Sequence, residues 1–261
     1  MKKVICFGEV LWDLLPEGKK PGGAPMNVAL HLRKQGNEAV VISAVGDDEF
    51  GDELLKFLEL QGLGTGHIKK DPSLPTGTVD VILDIQGKAS YTISKPVAWD
   101  AIAIDRSARD LAARADAIVF GSLACRSPIS RTTLMELLQE PSMKVLDLNI
   151  RPPHLQPDIL DSLLKRTDLL KINDEELLYL QRTLGLNHDD QQSLIYLSEH
   201  FRIKTICVTL GELGALLFHD GRVVQHPGYR IAVRDTIGAG DAFLAALIHG
   251  ILHNADLEET L

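Results

Sequence analysis

Cysteine is scarce in this sequence. The three present, Cys6, Cys125 and Cys207, are far apart, each in or beside an apolar strand-like run. That spacing excludes a disulfide framework and a cysteine metal site, and predicts buried thiols of a reducing compartment. Positive charge is also short: 27 Lys and Arg stand against 36 Asp and Glu, a net charge of −9. Such a balance argues against nucleic acid or an anionic membrane as partner. No apolar run approaches the ~20 residues of a membrane helix. The apolar stretch in M-K-K-V-I-C-F-G is too short for a signal peptide. Two common phosphate motifs are missing as well: there is no G-x-x-x-x-G-K-[ST], and G-A-G-D-A-F lacks the third glycine of the dinucleotide fingerprint. There is no internal repeat, low-complexity tract or long linker. What is left is an ordinary globular composition, 45% apolar and 24% charged over 261 residues. That length suffices for one large α/β domain or a domain with a small attachment, and the expected location is cytoplasmic.

The most informative stretch is D-T-I-G-A-G-D-A-F, residues 235–243. Gly238, Ala239 and Gly240 leave the backbone almost bare, and Ala242–Leu252 is nearly all apolar with helix-forming residues. A glycine-rich turn therefore opens a buried helix. The free N–H groups of such a first turn, with the helix dipole, make an anion site. Asp241 has two readings. It complements the dipole as many first-turn aspartates do, or it is a general base that takes a proton while the amides hold charge on a transferred group.

The rest of the chain alternates strand and helix. Val4–Gly8 reads as a strand, and Val10–Leu15 continues it with Asp13 as an isolated acid. Such an acid is either a satisfied turn residue or a ligand for hydroxyls. Gly22-Gly23 reads as a flexible turn before a helix that ends at Gly36; Asn27 lies in its first turn, serving either a ligand or local backbone. Ala39–Val45 is a predicted strand and Phe50–Gln61 an amphipathic helix. Residues 76–93 then break the pattern: an alternating run, a turn at Gln86-Gly87-Lys88 and a return strand form a hairpin. With Val10–Leu15 it predicts a small sheet standing off the main one as a lid, in preference to an edge hairpin. Alternation resumes with Arg106–Ala115, Ala117–Gly121, Ser127–Gln139 and Lys144–Asn149. Asp147, Asn149 and Arg151 fall at every second position, which predicts one shared face at a strand tip. Arg151 reads as a phosphate clamp or as half of a solvated Asp–Arg pair. Further on, Pro157–Arg166 is a helix and Leu169–Ile172 a strand. Asn173-Asp174-Glu175-Glu176 has the spacing of a capping box. Asp189–Phe201 is a helix, Thr205–Thr209 a strand, and Thr209 to Gly214 a turn with two glycines. Ala215–His219 and Val223–His226 form a hairpin, and Arg230–Val233 leads into the glycine-rich stretch.

G-G-A-P-M-N-V-A-L-H-L near the start and D-T-I-G-A-G-D-A-F near the end resemble the paired signatures of ribokinase-like sugar kinases, the phosphofructokinase-B family. V-G-D-D-E-F-G, D-L-N-I-R, N-D-E-E and V-T-L-G-E-L-G-A occur between them in that family's order, so the resemblance runs from Val4 to about Gly250. G-E-V-L-W-D and G-G-A-P-M-N look most like the fructokinase branch. The resemblance implies one α/β domain over 1–261: a three-layer sandwich with a mostly parallel central sheet and a small β lid from residues near 10–15 and 76–93. It implies Asp241 as catalytic base and Gly238, Ala239 and Gly240 as the anion hole. Asp13, Gly23 and Asn27 match sugar contacts, and Arg151 a residue of the transfer site. Asn173 and Glu176 match the motif that holds magnesium and phosphates, largely through water. Thr209, Gly211 and Gly214 match the nucleotide-side turn. Asp235 and the carbonyl of Ile237 match part of a monovalent-cation site, which takes K⁺. The chain stops at Leu261, where the family usually continues with further helices, the rim of the adenine pocket and the other cation ligands.

The expected activity is ATP- and Mg²⁺-dependent phosphorylation of a primary sugar hydroxyl, with D-fructose first among acceptors. Ribose, 2-keto-3-deoxygluconate or a nucleoside are the alternatives within the class. A non-catalytic sugar or nucleotide sensor is the alternative outside it, and the intact G-A-G-D weighs against that. The expected partners are the sugar and ATP. The alternating hairpin face predicts a homodimer through the lid.

Overall fold

The computed structural model describes residues 1–83, 89–187, 189–229 and 238–261. The expected cation ligands Asp235 and Ile237, the hairpin turn Gln86–Lys88 and the segment 230–233 lie outside the described residues. In chain order the strands are β1 (Lys3–Phe7), β2 (Leu11–Leu15), β3 (Gly18–Gly22), β4 (Glu38–Gly46), β5 (Ile68–Asp71), β6 (Gly77–Leu83), β7 (Ala89–Ile93), β8 (Ala117–Gly121), β9 (Met143–Asp147), β10 (Leu169–Asn173), β11 (Thr205–Thr209), β12 (Ala215–His219) and β13 (Arg222–His226). The helices are α1 (Ala24–Lys34), α2 (Glu49–Leu60), α3 (Arg106–Ala112), α4 (Pro128–Leu137), α5 (Pro157–Leu164), α6 (Asp174–Leu184), α7 (Asp190–Phe201), α8 (Ala239–Leu252) and α9 (Leu257–Thr260).

The main sheet has the order β13-β12-β11-β10-β9-β8-β1-β4-β5. Pairing from β5 to β11 is parallel, and β12 and β13 are added antiparallel. Its central strands are apolar runs such as K-V-I-C-F and A-I-V-F-G, buried almost throughout, as strands covered on both faces must be. One face packs under α3 to α7 through Leu111, Leu134, Leu160, Leu177 and Leu194. The other packs under α1, α2 and α8 through Leu32, Leu54, Leu244 and Leu247. The three-layer α/β sandwich expected from the sequence is therefore present. Strand order reverses at β1, with β8 on one side and β4 on the other, and this kind of switch opens a crevice at the carboxyl ends of the strands. Among the described residues no helix is long and apolar enough to cross a membrane.

The predicted hairpin is not an edge of this sheet. It forms a separate sheet of order β3-β2-β6-β7, in which β2 pairs parallel with β6 and antiparallel with β3. Two strands escaped the sequence reading. Gly22, expected in a flexible turn, ends β3, G-K-K-P-G, and β5, I-K-K-D, edges the main sheet. Both are short edge strands with little of the apolar alternation that marks a buried one.

Candidate active site

Helix α8 starts at the crevice. Gly238 is its N-cap with φ 74, and the first intrahelical bond runs from the Ala242 N–H to the Gly238 carbonyl at 2.9 Å. The amides of Ala239, Gly240 and Asp241 therefore have no partner within the helix. Asp241 Oδ2 accepts from Asn27 Nδ2 at 2.8 Å. The two residues are far apart in sequence and meet because α1 packs along α8. Burial pushes the Asp241 pKa up to about 6, in spite of the Asn27 hydrogen bond and the nearby cations Lys171 and Arg151; Asp147 adds to the rise.

Under the turn lies an ion pair that the sequence reading did not single out. Lys171 Nζ is 3.0 Å from Asp147 Oδ1, and both side chains are buried. A methyl group on Gly240 would sit 3.1 Å from that ammonium, so Lys171 supports the turn directly. Burial alone would lower the Lys171 pKa, but Asp147, with Glu176 and Asp241, reverses the effect and leaves it raised. The detectable signal was a lysine inside the apolar strand L-L-K-I-N, since a charge there requires a partner. Register supplies it: Lys171 stands opposite Asp147 in the β10–β9 pair.

The period-two placement of Asp147, Asn149 and Arg151 fails. Strand β9 stops at Asp147, Asn149 has φ 41, and the three do not share a strand face. Asp147 pairs with Lys171 and not with Arg151. Arg151 is exposed on the following loop, within electrostatic reach of Asp241, Asp13 and Glu9.

Across the crevice, Asp13 sits on β2, half-buried, its pKa raised by burial and opposed by Arg151. Its carboxylate lies against Gly22, where a Cβ would come within 2.3 Å of Oδ2. Gly22-Gly23 is thus a packed junction and not a flexible turn. Gly23 is the N-cap of α1 with φ 118, and a Cβ there would meet the Glu9 carbonyl at 2.3 Å.

Asn173 and Glu176 do form the capping box. Asn173 Oδ1 accepts from the Glu176 N–H at 2.8 Å and Glu176 Oε2 from the Asn173 N–H at 3.0 Å. The other oxygen, Oε1, accepts from the Ile150 N–H at 2.8 Å and so anchors the loop that carries Arg151. Burial raises the Glu176 pKa against these two amides. Both oxygens are engaged, and no group of three or more His, Cys, Asp and Glu able to hold a metal occurs among the described residues. The Asn173 amide oxygen and the Glu176 carboxylate are hard oxygen donors of the kind Mg²⁺ takes. Thr209 is in register with Asn173, so the tips of β10 and β11 adjoin. Gly211 (φ 58) and Gly214 (φ 89) shape the turn that follows Thr209.

The structure thus brings together the sequence-predicted residues Asp241, Gly238–Gly240, Asn27, Gly23, Asp13 and Arg151. It sets Asn173, Glu176, Thr209, Gly211 and Gly214 at the adjoining strand ends. Known proteins resemble the chain in sequence and fold. The family model described as pfkB family carbohydrate kinase matches residues 1–261. An uncharacterized sugar kinase from Pyrococcus horikoshii is 32% identical over 95% of this chain and 82% of its own length. Its crystal structure in complex with ATP superposes with a TM-score of 0.84 at 30% identity, covering 98% of this chain and 86% of that one. A fructokinase of Salmonella typhimurium is 29% identical over 97% of this chain and 85% of its own. The crystal structure of a fructokinase with bound ATP from Xylella fastidiosa gives a TM-score of 0.84 at 25% identity, over 97% of this chain and 82% of that one.

Proposed function

The chain belongs to the pfkB family of carbohydrate kinases, phosphotransferases with an alcohol acceptor, and on that premise we propose that it moves the γ-phosphoryl group of ATP to a primary hydroxyl of D-fructose, with Asp241 as the base. The observation that carries this reading is the Asp241 carboxylate, held by Asn27 in the open first turn of α8. The fructokinases among its relatives support fructose as the acceptor.

Asp13, Asn27 and the Gly23 junction hold the sugar under the small sheet. Asp241 takes the hydroxyl proton as the oxygen forms its bond to the γ-phosphorus and the bond to the β-phosphate oxygen breaks. The amides of the 238–240 turn and Arg151 stabilise the charge spread over the transferring group. Lys171 adds positive potential from below. Asn173 and Glu176 would hold the magnesium that accompanies ATP, and the metal would supply neutralisation of the phosphate charge. Thr209, Gly211 and Gly214 line the nucleotide side. Closure of the small sheet over the sugar excludes water as a competing acceptor.

Two measurements test this. ADP release across a panel of fructose, ribose, 2-keto-3-deoxygluconate and nucleosides should give the highest kcat/KM with fructose; a better acceptor overturns the choice of sugar but not the kinase. Asp241→Asn keeps the size of the side chain and removes the proton acceptor, so kcat should fall about 10²–10⁴-fold. Activity of the wild type should drop as pH falls through about 6, where the base becomes protonated. A variant with more than about a tenth of wild-type kcat removes Asp241 from the role of base.

A further inference from the structure

Asp147 has no part in the chemistry above, yet it occupies a costly position. It ends β9 and is 3% exposed. Side chains alternate along a strand, so Asp147 shares a face with Val145, and Lys171 on β10 shares one with Leu169. Both apolar residues belong to the core under α1 and α8. Opposite Lys171 on β11 stands Cys207, in the same core. A carboxylate and an ammonium are thus buried together in an apolar layer, 3.0 Å apart. Such a pair stabilises a fold no better, as a rule, than two apolar side chains of similar volume, so its presence needs another reason.

Its place supplies one. The pair lies at the strand tips, below the first turn of α8. Lys171 Nζ is 3.1 Å from where a Gly240 Cβ would stand and its Cε 4.0 Å, and no atom of Asp147 comes within 4 Å of that point. The ammonium, not the carboxylate, is therefore what the turn meets, and glycine at 240 leaves it room. Register fixes the arrangement: Lys171 stands opposite Asp147, and the Leu148 N–H donates to the Lys171 carbonyl at 3.1 Å. Neither ion would serve alone. An unpaired carboxylate there would repel a phosphate, and an unpaired buried lysine tends to lose its proton. With Asp147 beside it, Lys171 stays an ammonium.

We propose that Asp147 is a positioning residue for phosphoryl transfer: it holds the Lys171 ammonium against the first turn of α8, where that charge faces the transferred group. This rests on the reading of the 238–240 turn as the seat of that group. The pair also shapes the charge around the base. Burial is the main cause of the raised Asp241 pKa, and Asp147 on β9 adds to it; the Asn27 hydrogen bond from α1, Lys171 on β10 and Arg151 on the loop after β9 oppose it. Glu176 and Asp241 face Lys171 besides Asp147, and Asp241 bears in turn on Glu9, between β1 and β2.

The test compares Asp147→Asn, the double variant Asp147→Leu with Lys171→Met, and Asp241→Asn. The double variant strands no charge, so its melting temperature should stay near that of the wild type. Its kcat should still fall roughly a hundredfold. Without sugar present, its Kd for ATP should rise about tenfold, while that for ADP, which lacks the transferred group, changes little. A purely structural pair would return activity together with stability. Asp147→Asn keeps an acceptor for the ammonium and removes a negative charge near the base, so the acid limb of its kcat profile should move to lower pH. Wild-type kcat and ATP affinity in the double variant, or an Asp147→Asn profile superimposable on the wild type, overturns the proposal. Should the double variant not fold, the Asp147→Asn profile decides alone. Retained activity in Asp241→Asn removes the base reading and leaves the ATP affinity of the double variant to decide this one. Inactive Asp241→Asn beside wild-type behaviour in the other two removes only this proposal.

Discussion

Asp13, on the small sheet, and Asp241, in the first turn of α8, face one crevice in different surroundings. Asp241 is buried with a pKa up to about 6, the setting of a base. Asp13 is half-buried on β2, suited to accepting hydroxyl hydrogen bonds as a charged group. Each such bond lost costs roughly 1.5–3 kcal/mol. Asp13→Ala should therefore raise KM for the sugar about tenfold or more while KM for ATP changes little, as initial rates with either substrate varied will show. Equal changes in both would make Asp13 a structural residue. The residue motifs around these acids were readable in sequence; Glu9 and Lys171 were not. A buried charge is intelligible only with its partner, and Asp147 meets Lys171 through strand register, while Glu9 lies with its carbonyl against Gly23, a neighbour that no local pattern gives.

At the scale of elements, the start of α6 holds more than its own first turn. The N-D-E-E spacing predicted the capping box, and the Asn173–Glu176 pair makes it. It could not predict the bond from Ile150, because that loop follows β9, which ends earlier than the polar alternation suggested. The two residues should separate in experiment. Asn173→Ala removes a cap, at about 1 kcal/mol. Glu176→Ala leaves two amides without their acceptor, at roughly 1–3 kcal/mol each, and frees the loop carrying Arg151. Its melting temperature should fall further than that of Asn173→Ala, and kcat should fall with it. A Glu176→Ala protein with full activity would detach this helix start from the positioning of Arg151.

For the whole molecule, the question is how the small sheet is held to the large one. Asp48 at the start of α2 binds the Thr76 N–H at 2.8 Å and its hydroxyl at 2.6 Å, where the chain enters β6. On the return from β7, Arg126 donates to the Ser94 carbonyl at 2.6 Å and to both oxygens of Asp100 at 2.7 and 2.8 Å. The guanidinium also lies over Trp99, 3.8 Å from the ring centre. Removing one member of a buried pair strands the other, so Arg126→Ala should cost roughly 3–5 kcal/mol, while Arg126→Met combined with Asp100→Leu should recover most of that in thermal melts. No recovery would mean that the pair's hydrogen bonds, and not its charge balance, fasten the sheet. The two-sheet plan was legible because periodicity switched at 76–93 and back again; these fastenings were not, since they join residues that no local pattern connects. One further consequence follows from β3, whose sequence is G-K-K-P-G and which forms a free edge of the small sheet. Pro21 has no N–H to offer an incoming strand, Lys20 is exposed, and Lys19 is drawn back over Trp12 and Phe50 toward Glu53. Foreign backbone finds no template there, so crowding the protein to high concentration should not zip one molecule to the next along that edge.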